Sequence, residues 1–191
     1  MSRRRDLRGL LLDLDGTLLD TAPDMAHALN RLRAAEGLEL LPFDQIRPLV
    51  SHGAPRLIRF AFDDPEPARY EDLRLRFLDI YRGAIAVHTR IFDGFEVVLA
   101  RIEQAGMRWG IVTNKPGWLT MPLLEQMGLA ARSGCVVSGD TLPERKPHPL
   151  PLLHAAGLLG LAPRECVYLG DAERDVQAAR NAGMIPLVAG F

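Results

Sequence analysis

The chain has 191 residues, of which 48% are hydrophobic and 25% charged, and its formal net charge is −1. This is the composition of a soluble globular protein long enough for one domain plus an insertion. The near-zero charge leaves no electrostatic footprint for nucleic acid, and no uninterrupted apolar stretch is long enough to cross a bilayer. Arg3-Arg4-Arg5 reads as a solvated terminal tail, because the apolar run behind it meets Asp13 and Asp15 too soon for a signal peptide. Cys135 and Cys166 form neither a disulfide framework nor a metal-ligand spacing, and read as small core residues in a reducing cytoplasm. Lys+Arg totals 23, yet only Lys115 and Lys146 are lysines. A lysine kept in so arginine-rich a chain marks a place where a compact point charge serves better than a planar fork, unless it is retained by chance.

The first element is an apolar run from Leu7 to Leu12 that ends in Asp13-Leu14-Asp15-Gly16-Thr17. A short apolar run bounded by turn residues predicts a strand buried on both faces. Asp20-Thr21-Ala22-Pro23-Asp24 then opens a helix whose apolar positions are Met25, Ala28, Leu29 and Leu32, with Gly37 as its stop. A shorter helical segment runs from Pro42 toward Val50, and Ser51-His52-Gly53-Ala54-Pro55 is a turn cluster. A helix over 56–62 and another over 70–81 complete a stretch without strands. Beyond His88 the pattern alternates. The expected order is helix 95–104, strand 107–112, helix 119–127, strand 135–137, helix 149–159, strand 166–169, helix 175–182 and strand 185–188. Such alternation predicts right-handed crossovers and an α/β fold, a three-layer αβα arrangement around a Rossmann-like parallel sheet. The helical block interrupts it as an inserted cap, giving a core of 1–19 and 88–191 and a cap of 20–87.

Asp13 and Asp15 fall at the carboxyl end of the first strand, where parallel α/β sheets place their ligands. Two acids this close repel, and a bound cation removes the conflict. Mg²⁺ suits a site built from a few carboxylates plus a substrate phosphate. The same D-x-D also describes a solvated turn with two surface acids. Thr113, after the strand over 107–112, offers a hydroxyl that can donate to a phosphate oxygen, with the following Asn114 amide beside it. Asp171 follows a strand as Asp13 does, so the two can meet over the sheet edge as Mg²⁺ ligands. Asp175 sits one helical turn later, and either reaches the metal through water, holds Lys146, or serves only as a helix N-cap.

Together D-L-D-G-T, Thr113-Asn114-Lys115-Pro116, Lys146-Pro147-His148-Pro149 and Gly170-Asp171 through Asp175 resemble, in order, the four motifs of the haloacid dehalogenase-like phosphatases. The resemblance implies that Asp13 attacks phosphorus and that Asp15 is the acid/base. It also implies that Lys146 neutralises the phosphoryl group and the nucleophile. Asp13, Asp171 and the Asp15 backbone carbonyl would hold Mg²⁺, with Asp175 nearby. The opening D-L-D-G-T-L-L-D-T-A-P-D resembles the phosphoglycolate phosphatase group. The run from Ala86 to Pro116 is similar to the N-acetylmuramic acid 6-phosphate phosphatases within it. The implied substrate is a small phosphorylated metabolite, and the implied cap contacts are His52 and Arg56, which equally read as ordinary polar positions of a cap helix. A cap without lysine excludes the phosphonoacetaldehyde hydrolases, which use a cap Lys. A β-phosphoglucomutase-like phosphotransferase and a non-catalytic binding relative stay open. A nucleotide-binding dehydrogenase does not, since no G-x-G-x-x-G follows the first strand. The chain stops at Phe191, after the last predicted strand, where relatives usually continue. Either the natural chain is longer or the exposed edge is covered differently, as a monomer or by forming a homodimer.

Overall fold

The apolar run behind the D-x-D motif forms the central strand of a parallel sheet. The structure, a computed structural model, describes residues 6–190; the Arg3-Arg4-Arg5 tail and the chain end at Phe191 lie outside the described residues. In chain order the strands and α-helices are β1 (Gly9–Leu12), β2 (Leu19–Asp20), α1 (Ala22–Ala35), α2 (Phe43–Ile46), α3 (Gly53–Ala61), α4 (Pro67–Arg82), β3 (Arg90–Ile91), α5 (Phe95–Gln104), β4 (Arg108–Val112), α6 (Gly117–Gln126), β5 (Val136–Val137), α7 (Leu150–Leu158), β6 (Cys166–Gly170), α8 (Glu173–Asn181) and β7 (Ile185–Val188). Short 3₁₀ turns span Arg47–His52 and Pro163–Glu165. The chain divides into two compact units, Met1–Leu19 with Ile91–Phe191, and Asp20–Arg90.

In the first unit the strand order is β5-β4-β1-β6-β7. The four ladders of this sheet run parallel, with Leu12 opposite Ile111 on one side and Leu169 on the other. Chain order thus reverses direction at β1, so the carboxyl ends of β4, β1 and β6 flank the crevice where such sheets bind ligands. The core gathers Leu11, Val112, Val137, Tyr168 and the α7 and α8 faces, with Cys135 and Cys166 among them as free thiols. Burial raises both thiols above their ordinary range, Cys135 to about 11, so both pack as small hydrophobes.

The second unit is helical. Its helix α1 begins with Pro23 and Asp24 in the first turn and carries Arg33 in the last, in keeping with the helix dipole. Its buried stripe of Met25, Ala28, Leu29 and Leu32 belongs to a core shared with Leu57, Ile58 and Ala61 of α3 and Leu73, Phe77 and Tyr81 of α4. The Phe77 and Tyr81 rings stack with centroids 6.4 Å apart. Asp24, 2% exposed, accepts hydrogen bonds from the His88 and Thr89 N–H groups and from the Thr89 hydroxyl, tying the unit's last residues to its first helix.

Several boundaries differ from expectation. Strand β1 starts at Gly9, two residues later than the apolar run, because Leu7 is solvent-exposed and a Cβ at Gly9 would lie 2.5 Å from Leu161. Helix α3 starts inside the expected turn cluster, since Pro55 is tolerated in a first turn. The two-residue strands β2 and β3, which pair with each other, are too short to show any periodicity.

Candidate active site

Each strand around the crevice delivers one group. The Asp13 N–H donates to the Leu169 carbonyl at 2.9 Å, which carries the β1 ladder one residue past the strand and fixes Asp13 at its end. Asp13 is buried, and its Oδ1 accepts from the Leu14 N–H at 2.8 Å and from Lys146 Nζ at 2.9 Å. Gly16, at φ 80°, turns the chain immediately afterwards, and its N–H donates to the Leu19 carbonyl at 2.9 Å.

Lys146 arrives from the loop before α7, its side chain fully buried. Its ammonium also lies 2.8 Å from Asp175 Oδ1 and donates to the Tyr168 hydroxyl at 2.6 Å. The Tyr168 hydroxyl in turn donates to the Val112 carbonyl at 2.8 Å, so the lysine is held from strand β6 as well as by two acids. The Lys146 backbone is clamped by Asn114, whose side chain donates to the Lys146 carbonyl and accepts from the Lys146 N–H. The Asn114 side chain is therefore engaged in holding the loop that carries Lys146. The Lys146–Pro147 peptide bond is cis.

Asp175 is the third residue of α8 and reaches back, its Oδ2 accepting the Ala172 N–H at 3.0 Å. It thus ties down the helix start and grips Lys146 at the same time, and it is not the N-cap residue. Its place over the end of β6 depends on Gly170, where a Cβ would meet Asp175 atoms at 2.4 to 2.6 Å. Asp171 Oδ1 accepts from the Thr17 hydroxyl at 3.3 Å. Asp13, Asp171 and Asp175 each present a carboxylate oxygen within 4.8 Å of the other two.

The Asp15 carboxylate is not in this trio. It pairs with Lys115, Nζ to Oδ1 at 2.9 Å. The buried Thr113 hydroxyl, at the end of β4, accepts from the Lys115 N–H at 3.1 Å. His52 and Arg56 belong to the second unit, one closing the 3₁₀ turn and one in the first half of α3, both exposed.

The electrostatics follow from this burial. Loss of water around Asp13 pushes its carboxyl up to about 6; Lys146 opposes that rise and the neighbouring Asp175 adds to it. Burial first, then the charges of Asp13 and Asp175, drive the Tyr168 hydroxyl well above the ordinary tyrosine range, so it stays a neutral donor. Three acids, two of them against one ammonium, form a donor set of hard oxygens with negative charge to spare, which fits a divalent cation of the Mg²⁺ kind.

Sequence reasoning brings together Asp13, Asp171, Asp175 and Lys146 and leaves two participants without a role. Lys115 is conspicuous only as one of two lysines, and its acid partner lies 100 residues away in the chain. Tyr168 sits inside a buried strand, where its polar tip gives no signal beyond the need of any buried tyrosine for a partner.

Comparison with known proteins agrees with this architecture. A family model for haloacid dehalogenase-like hydrolases matches residues 7–183. A phosphoglycolate phosphatase of Xanthomonas campestris is 50% identical over 182 residues, covering 95% of this chain and 82% of that protein. An N-acetylmuramic acid 6-phosphate phosphatase of Pseudomonas putida is 42% identical over 178 residues, covering 93% and 80%. The crystal structure of a predicted phosphoglycolate phosphatase from Haemophilus somnus superposes with a TM-score of 0.85 at 26% identity, covering 96% of this chain and 85% of that one. With the carboxyl ends of β1, β4 and β6 converging as described, the chain belongs to the haloacid dehalogenase-like hydrolase family.

Proposed function

We propose that this protein is a Mg²⁺-dependent phosphomonoester hydrolase acting on a small phosphorylated metabolite, with 2-phosphoglycolate the first candidate and N-acetylmuramic acid 6-phosphate the second. The observation that carries the reading is the buried contact between Asp13 and Lys146, set within 4.8 Å of two further acids at a sheet's carboxyl edge. Relatives named for both substrates support the choice of candidates, the phosphoglycolate phosphatase at the higher identity.

In this reading the Asp13 carboxylate attacks phosphorus in line and forms an aspartyl-phosphate, while the substrate alkoxide leaves. Asp15 gives that alkoxide its proton, then takes one from the water that cleaves the acyl phosphate and restores Asp13. Lys146 holds a phosphoryl oxygen and Asp13 together, and is itself aimed by Asp175 and Tyr168. Thr113 and the Asn114 amide take a second phosphoryl oxygen. Asp13, Asp171 and the Asp15 carbonyl would hold the Mg²⁺, assisted by Asp175; when bound, the ion supplies charge neutralisation for the incoming phosphate. The helical unit serves as a cap that selects the leaving group, with His52 and Arg56 as its contacts. No described helix is long and apolar enough to cross a membrane.

A panel of phosphate esters, including both candidates, assayed with and without Mg²⁺ tests the reading. Mg²⁺-dependent release of phosphate that vanishes in Asp13→Asn is the expected result. Release that survives Asp13→Asn would contradict it.

A further inference from the structure

Both lysines of this chain are buried, and each is paired with one of the two acids of the D-x-D motif: Lys146 with Asp13, Lys115 with Asp15. Lys146 has its place in the reaction above, whereas Lys115 does not touch the acid trio through any of the contacts described. Its backbone is pinned on both sides. The Lys115 N–H donates to the Thr113 hydroxyl at 3.1 Å, and the Lys115 carbonyl accepts from the Gly139 N–H at 2.9 Å and the Thr120 hydroxyl at 3.2 Å. Gly139 comes so close to the preceding residue that a Cβ there would lie 2.1 Å from the Asn114 carbonyl oxygen. The root of the Lys115 side chain is therefore fixed, and the side chain is 5% exposed.

Asp15 is held differently. Its backbone enters the Gly16 turn, but its side chain retains 18% exposure. An ammonium 2.9 Å from Oδ1 constrains how that carboxyl group is oriented. Arginine occupies 21 of the 23 Lys and Arg positions, so the compact ammonium at this buried pair departs from the chain's usual choice of cation.

We propose that Lys115 is a positioning residue that holds the Asp15 carboxyl group in the orientation from which it serves the departing alkoxide. The proposal rests on the phosphatase reading, in which Asp15 passes the proton. It separates Lys115 from Thr113 and Lys146, which would touch the phosphoryl group itself.

The test compares two esters whose leaving groups differ in their need for a proton. An alkyl phosphate must be protonated as it leaves, whereas para-nitrophenolate leaves without help. Lys115→Met, and Lys115→Gln as the variant that keeps a polar tip, should each lower kcat on an alkyl phosphate about tenfold with KM within about twofold. First-turnover release of para-nitrophenol should stay within about twofold of wild type. In an Asp15→Asn background, adding Lys115→Met should cost nothing further on either ester, because the group it positions is gone. Equal losses on both esters, a loss appearing mainly in KM, or losses that multiply with Asp15→Asn would overturn the proposal and make Lys115 a substrate contact. No loss in either Lys115 variant would overturn it as well. Failure of the underlying reading has its own signature, turnover surviving Asp13→Asn, and would take the proposal with it.

Discussion

The Tyr168 hydroxyl accepts from the Lys146 ammonium at 2.6 Å and donates its own hydrogen bond to the Val112 carbonyl, which makes a strand of the core the third support of the buried lysine. Asp13 and Asp175 attract Lys146 by charge, but a neutral hydroxyl fixes direction without changing the charge count. Tyr168→Phe should therefore leave Lys146 in place and less well aimed. We expect kcat to fall about tenfold, the worth of one hydrogen bond near 1.4 kcal/mol, with little change in KM. Steady-state kinetics on the best ester of the panel checks this. Lys146→Arg should be far worse, at about a hundredfold or more, because the pocket between Asp13, Asp175 and Tyr168 admits one compact cation.

Gly170 is where sequence and site meet most tightly. Its missing side chain leaves room for Asp175, and a Cβ at this position would lie 2.4 Å from the Asp175 Cβ. Neither atom can yield without moving strand β6 or helix α8. Gly170→Ala should destabilise the fold by about 1–3 kcal/mol and also depress kcat, since Asp175 is displaced from Lys146. Chemical denaturation and kinetics on the same preparation measure both effects.

The burial of Asp13 predicts a specific pH dependence for the metal-free protein. Its carboxyl is raised from 3.8 to about 6, so the folded chain keeps a proton that the unfolded chain has already lost across that window. Stability from this group is complete below about pH 4 and is lost as pH rises through about 6, a cost of the order of 2–3 kcal/mol. Asp13→Asn removes the ionising group. In the presence of a chelator the Asp13→Asn protein should melt roughly 5 °C above wild type at pH 7.5, with the gap closing near pH 4.5. Adding Mg²⁺ at pH 7.5 should raise the melting temperature of wild type and not of Asp13→Asn. Melting curves across pH, with and without the ion, read all of this.

The helical unit carries the specificity expectation. Arg56 is exposed on α3, so Arg56→Ala should leave the fold intact. It should raise KM for the physiological ester while sparing a generic aryl phosphate. Equal loss on both would remove Arg56 from the set of leaving-group contacts.

The fold class was legible because each core strand is either a continuous apolar run or closes on a turn, and α5 and β7 fall where periodicity puts them. Strands β2 and β3 were not legible, since Leu19–Asp20 and Arg90–Ile91 each mix one apolar and one charged residue, whereas the equally short β5 is an apolar pair, Val136–Val137. In the site, Asp13 and Asp171 could be anticipated from their common position after buried strands, and Lys146 from the resemblance of Lys146-Pro147-His148-Pro149 to the family's third motif. The pairing of Lys115 with Asp15 depends on how two loops 100 residues apart are pinned, and local sequence does not encode that. Tyr168 was hidden for a different reason: a buried strand tyrosine reads as packing until its hydroxyl partner is known.

In the proposed reaction phosphate passes through a covalent bond to Asp13, and that bond can be trapped: the enzyme is quenched with borohydride during turnover of an ester with Mg²⁺ present, and the peptide containing Asp13 is sequenced by mass spectrometry. Reduction of an acyl phosphate should yield homoserine at position 13, absent without substrate. An unmodified Asp13 under conditions of rapid turnover, or homoserine at another acid, would contradict the account.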